Sequence, residues 1–190
     1  WPGGKPGADD STRPERKSPN SKRVIIFSPH PDDDVVSMGG TFDRLVSQGH
    51  KVHIAYQVKG NIAVSDHDAL KFIEVSKDMF KNDSKVLVSE LIKELKNNKP
   101  DKIDSQAVRD LKGFIRKREA IAATRYFGIP DSNTHFMNLP FYNTGRIKKN
   151  PPTKKDVLIT ASLIKKIKPH QIFAAGDLED PHGTHKVCLD

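Results

Sequence analysis

Val24-Ile25-Ile26-Phe27-Ser28-Pro29-His30-Pro31-Asp32-Asp33-Asp34 decides how this chain folds. Four apolar residues, three β-branched and one aromatic, end at Ser and Pro and read as a short strand buried on both faces. Helical spacing follows over residues 35–48 (Val36, Met38, Phe42, Leu45, Val46) and stops at Gly49. Strand followed directly by helix opens a βαβ unit, and the rest of the chain continues in kind. Residues 51–58 alternate, with Val52, Ile54, Tyr56 and Val58 on one face of a second strand. Ser65-Asp66-His67-Asp68 forms a capping box for a helix to about Phe80, and a second helix covers 84–97. A third, over 105–127, presents Val108, Leu111, Phe114, Ile115, Ala122 and Phe127 and ends at Gly128. Residues 136–142 read as a short strand or extended loop. Thr153 opens a helix carrying Leu158, Ile159, Leu163 and Ile167, closed by Pro169, and 171–175 is the last strand. Alternating strands and helices predict an α/β fold with a mainly parallel sheet.

Two loops carry the chemistry. His30 and three successive aspartates stand just past the first strand; Asp180-Pro181-His182-Gly183-Thr184-His185 comes shortly after the last. In open parallel sheets the strand C-terminal ends form the ligand crevice, so loops distant in sequence meet there. A lone His30 reads equally as an ordinary loop residue, and one aspartate at a helix start is an ordinary cap. Three carboxylates in a row are unfavourable at neutral pH unless a cation offsets them. His30, Asp33 and His185 make a ligand set with room for a water, suited to Zn²⁺ or Fe²⁺. Asp32 is then placed to accept a proton, and His182 to donate to an oxyanion or leaving group. Asp177, Glu179 and Asp180 are candidates for orienting the imidazoles.

Composition narrows the remaining choices. At 190 residues the chain has the size of one domain, with 35% hydrophobic residues and no apolar run near the ~20 residues of a membrane span. Residues 1–21 are rich in Pro, Gly, Ser and charge and read as a linker or extended arm; the domain is residues 22–190. The first residue is Trp1, with neither an initiator Met nor an apolar leader, so a piece of a longer chain is expected. Cys188 is the only cysteine, which excludes an internal disulfide, favours a reducing, cytoplasmic setting and reads as helix packing. Asn82-Asp83-Ser84 matches a glycosylation sequon by chance composition. The net charge of +8 comes from scattered lysines without a nucleic-acid motif, so no nucleic-acid or membrane partner is expected. From charge and loop position, Lys59, Arg116 and Arg146 are candidates for binding substrate hydroxyls or a phosphate.

The motifs resemble those of the LmbE/PIG-L-like deacetylases. His30-Pro31-Asp32-Asp33-Asp34 is similar to the family's His-Pro-Asp-Asp-Glu signature, and His182-Gly183-Thr184-His185 to its second, His-x-x-His motif. Arg116-Lys117-Arg118-Glu119, with Phe127-Gly128 downstream, is similar to the family's Arg-x-x-Glu helix, and residues 136–140 to the segment that follows it. The resemblance covers about residues 23–190. It implies zinc-dependent N-deacetylation of an N-acetylglucosamine-type small molecule on a Rossmann-like three-layer sandwich. By that resemblance, zinc ligands are His30, Asp33 and His185, the general base is Asp32, and the transition-state-stabilising histidine is His182. Asp34 stands where the family has Glu, and Gly60-Asn61 where it often has Gly-Glu. The chain also resembles the C-terminal part of bacterial glucosamine-6-phosphate deaminase-like proteins. That implies an upstream deaminase-like domain joined through the arm, either beside a working deacetylase or with this domain in an accessory role; the oligomeric state stays open.

Overall fold

The computed structural model describes residues 19–79, 85–98, 102–146, 148–176, 179 and 181–190. Most of the expected arm, the sequon and two of the three proposed imidazole-orienting acids, Asp177 and Asp180, lie outside them. The element order is β1 (Arg23–Ser28), α1 (Asp33–Ser47), β2 (Lys51–Tyr56), α2 (Asp66–Met79), α3 (Lys85–Lys96), α4 (Gln106–Tyr126), β3 (Thr134–Phe136), α5 (Lys154–Ile167), β4 (Gln171–Phe173) and α6 (Thr184–Leu189). The four strands form one parallel sheet in the order β3-β2-β1-β4, with Ile26 of β1 opposite Ile54 on one side and Phe173 on the other.

A central parallel strand must be covered on both faces. Val24 and Ile26 of β1 pack with Phe42 and Leu45 of α1 and Ala120 of α4. Ile25 and Phe27 face the other way, onto Ile167, Leu163 and Ile164 of α5. Helices therefore sandwich the sheet, as the strand–helix alternation predicts. Away from the sheet, α2 and α3 pack on α4 through Ala69, Ile73, Leu91, Leu95, Val108 and Ile115. Ser105 caps α4 by accepting the Val108 N–H, and Gly128 turns the chain out of it at φ 77°. Among the described residues no helix is long and apolar enough to cross a membrane.

Several element details differ from the sequence expectation, each for a physical reason. β2 ends at Tyr56 rather than residue 58. The N–H groups of Gln57 and Val58 still reach the Ser28 and Pro29 carbonyls at 2.9 and 3.1 Å, but Pro29 has no N–H to return. β3 starts at Thr134, and the stretch beyond it turns into a 3₁₀ segment at Pro140–Tyr142. On α4, Phe114 is 63% exposed and Ala122 lies outside, whereas Lys112 is buried. Lys112 reaches Asp66 at 2.6 Å and Asp104 at 2.8 Å, a burial by ion pairing that hydrophobic spacing does not reveal. On α5 the sheet-facing stripe is Ile159, Leu163, Ile164 and Ile167, which turns Leu158 outward. Cys188 is half-buried on α6 against the cluster of Val58, Leu139, Phe141 and Tyr142.

His53 and His135 stack across β2 and β3, with Nδ1 and Nε2 3.1 Å apart. Burial, then the neighbouring His135 and the cations Lys51, Arg23 and Lys166, push His53 down to about 4. His135 is lowered by burial and Lys166. Between the unfolded value near 6.5 and about 4, the unfolded chain takes up protons that His53 refuses. Stability from this pair is therefore complete above pH ~6.5 and is lost as pH falls towards 4, by up to about 3 kcal/mol for His53. Urea midpoints measured across that window should fall with pH, and His53→Gln should make the fall shallower. Identical slopes would remove His53 from the account.

Candidate metal centre

The three aspartates after β1 turn to three different partners, and none caps α1 in the ordinary way. Asp32 occupies the N-cap position without a side-chain cap hydrogen bond. Its carboxylate, 52% exposed, lies 2.8 Å from Nη2 of Arg116 on α4. Asp34 points inward and is 2% exposed. It accepts the Tyr56 hydroxyl at 2.8 Å and the Ser28 hydroxyl at 3.2 Å, which ties the loop to the ends of β1 and β2. Burial raises the Asp34 carboxyl above its usual value, against the Tyr56 and Ser28 hydrogen bonds. Ser28 also donates to the His30 carbonyl at 2.5 Å. These bonds fix the loop so that Asp33 and His30 face the crevice.

Asp33 Oδ2 lies 3.1 Å from His30 Nδ1 and 3.2 Å from His185 Nε2, and the two imidazole nitrogens are themselves 3.2 Å apart. Burial opposes ionisation of Asp33, but hydrogen bonds from the His30 ring and main chain, with the charges of His30 and His185, outweigh it and hold the carboxyl low. The three atoms form a nearly equilateral triangle. Ligand atoms about 2.0–2.1 Å from a tetrahedral Zn²⁺ stand about 3.3 Å apart, so this donor set fits a divalent cation with a fourth position open. His185 arrives from the other end of the chain. Gly183, at φ 67°, turns the backbone into α6, which begins at Thr184; His182 lies just ahead of the helix and lines the same cavity.

That cavity, of about 390 Å³, gathers His30, Asp32, Asp33, Arg116, His182 and His185. Among the described residues this triad is the group of His, Cys, Asp and Glu arranged to hold a metal ion. Of the expected substrate-binding cations, Arg116 lines the cavity, where it bridges Asp32 and Glu119. Lys59 instead pairs with Asp110 at 2.9 Å and lines a separate cleft behind Pro31, and the Arg146 side chain is exposed and outside the cavity wall. Sequence reasoning passed over Tyr142 and Lys149, which complete the wall. Tyr142 was accessible to the strand-end rule, since it follows β3 on the crevice side; Lys149 carried no such signal.

Gly60, also on the wall, has φ 64°, and a Cβ there would meet Pro31 Cδ at 2.7 Å and Arg116 Nε at 3.4 Å. A proline ring in the loop that carries His30 and Asp33 cannot swing aside. Gly60→Ala should cost about 1–3 kcal/mol by left-handed strain plus overpacking, and should weaken metal binding through the displaced loop. A thermal melt with and without Zn²⁺ checks both effects.

Residues 25–190 match the family model described as PIG-L, GlcNAc-PI de-N-acetylase. The chain belongs to the PIG-L family. The match begins inside β1 and runs through α6, so it takes in both loops that line the cavity. A relative from Bacteroides thetaiotaomicron, described as a glucosamine-6-phosphate deaminase-like protein, is 53% identical over 197 residues. That match takes in all of this PIG-L chain and 30% of the relative, so the chain spans less than a third of the relative's length.

Proposed function

We propose that this PIG-L domain is a divalent-metal-dependent hydrolase, with Zn²⁺ as the resident ion, that removes the N-acyl group from an N-acetylglucosamine-type substrate. The observation that carries this is the convergence of His30 Nδ1, Asp33 Oδ2 and His185 Nε2 within one cavity, with the carboxylate of Asp32 beside them but outside the triangle. A deacetylase needs that division of labour: ligands that hold an ion and a separate base. Fe²⁺ suits the same donors, and metal analysis distinguishes the two.

His30, Asp33 and His185 would hold the cation, which would supply a Lewis acid able to polarise an amide carbonyl and acidify water. Asp32 takes the proton of the attacking water as the new C–O bond forms. Arg116, 2.8 Å away, fixes the orientation of the Asp32 carboxylate, and Arg116 is itself steadied by Glu119 at 3.2 Å. His182 donates a hydrogen bond to the developing oxyanion. The C–N bond then breaks as the amine nitrogen receives the proton that Asp32 took from water, which restores the Asp32 carboxylate, and acetate and free amino sugar leave.

The relative's length and description favour a second element of the reading: the domain operates within a longer protein, beside a deaminase-like region. Incubating the zinc-loaded protein with N-acetylated amino sugars and measuring acetate, free amine and ammonia tests both ideas. The deacetylase reading expects acetate and amine in equal amounts. Ammonia from amino-sugar phosphates with no acetate from any amide would leave the domain an accessory role.

A further inference from the structure

Among the described residues, two Lys or Arg side chains line the cavity, Arg116 and Lys149. Arg116 is engaged by Asp32 and Glu119, and Lys59 by Asp110. Lys149 lines the cavity with the metal-binding triad, and among the described residues no carboxylate pairs with it. Its Nζ donates to the Arg146 carbonyl at 2.6 Å and stands 3.9 Å from the centre of the Tyr142 ring. That ring is buried, and it meets His30 edge-on with centroids 6.1 Å apart. The ammonium is thereby held against one wall beside the first metal ligand.

The loop that presents Lys149 is braced from within. The Thr144 hydroxyl donates to the Lys148 carbonyl at 2.9 Å and accepts the Arg146 N–H at 3.1 Å, and the Asn150 N–H bonds to the Phe141 carbonyl at 3.1 Å. Partial burial pushes Lys149 down to about 8. A partly desolvated cation in a cavity of about 390 Å³, at the small end of ligand sites, is suited to an anionic group on a ligand.

We propose that Lys149 determines specificity at this site by taking an anionic group, a phosphate or a carboxylate, carried by the N-acylated amino sugar. This rests on the deacetylase reading for the identity of the sugar, but its test reads binding rather than turnover. Calorimetry on the protein, with N-acetylglucosamine, its 6-phosphate, its 1-phosphate and N-acetylmuramic acid, separates the sources of charge. At least one anionic sugar should bind about 10–100-fold more tightly than the neutral one, the usual worth of a charge-assisted contact. Lys149→Gln should collapse that ratio towards 1, and Lys149→Arg should retain most of it. A ratio near 1 in the parent, binding of none of the three anions, or a ratio that Lys149→Gln leaves intact overturns the proposal. Failure to release acetate while the anion preference holds would overturn the deacetylase reading and leave Lys149 its anion.

Discussion

Asp32→Asn should lower amide hydrolysis by roughly 10²–10⁴-fold and leave metal binding intact, because the substitution removes the proposed base and keeps the shape. The geometry makes the two effects separable. Asp32 is outside the triangle formed by His30, Asp33 and His185, and its contact is with Arg116. Asparagine can keep a hydrogen bond to that guanidinium but cannot take a proton. Arg116 is proposed to act through Asp32, so Arg116→Gln should reduce kcat more than it raises KM. Asp32→Asn with full metal content and undiminished hydrolysis would remove Asp32 from the mechanism.

His185→Ala should lose both metal and activity. It removes one corner of the triangle and leaves His30 and Asp33, two proposed ligands from a single loop, without the partner that closes the site. Lewis-acid stabilisation is worth several kcal/mol, so the rate should fall by at least about 10³-fold. The variant should also lose the Zn²⁺-dependent rise in melting temperature that the parent shows, since an ion that binds only the folded state stabilises it by mass action. Equal Zn²⁺ stabilisation of the parent and His185→Ala would place the ion elsewhere.

Much of this arrangement was legible in the chain because it depends on local patterns. The apolar run Val24 to Phe27 marked the central strand, and a sheet parallel throughout carries the loops after β1 and β4 to one end. Three aspartates in a row stand out in the sequence, but their separate partners, Arg116, the histidines and Tyr56, depend on packing between distant elements. Charge position alone was a poor guide to the cavity wall. Lys59 is drawn to Asp110 on α4, the exposed Arg146 side chain lies outside the wall, and Lys149 enters through a loop whose shape comes from its own Thr144 and Asn150 hydrogen bonds. Lys112 shows the same limit in the interior, where two carboxylates bury a residue that hydropathy assigns to the surface.

The most direct measurement of the central claim is acetate release by chelator-treated protein as Zn²⁺ is added back in sub-stoichiometric steps, with N-acetylated amino sugar in excess. Activity should be absent at the start, rise in proportion to bound ion, and level off at one ion per chain. Full activity before any Zn²⁺ is added, or one tightly bound ion with no amide hydrolysis across neutral and anionic N-acetyl sugars, would contradict a metal-dependent deacetylase built on His30, Asp33 and His185.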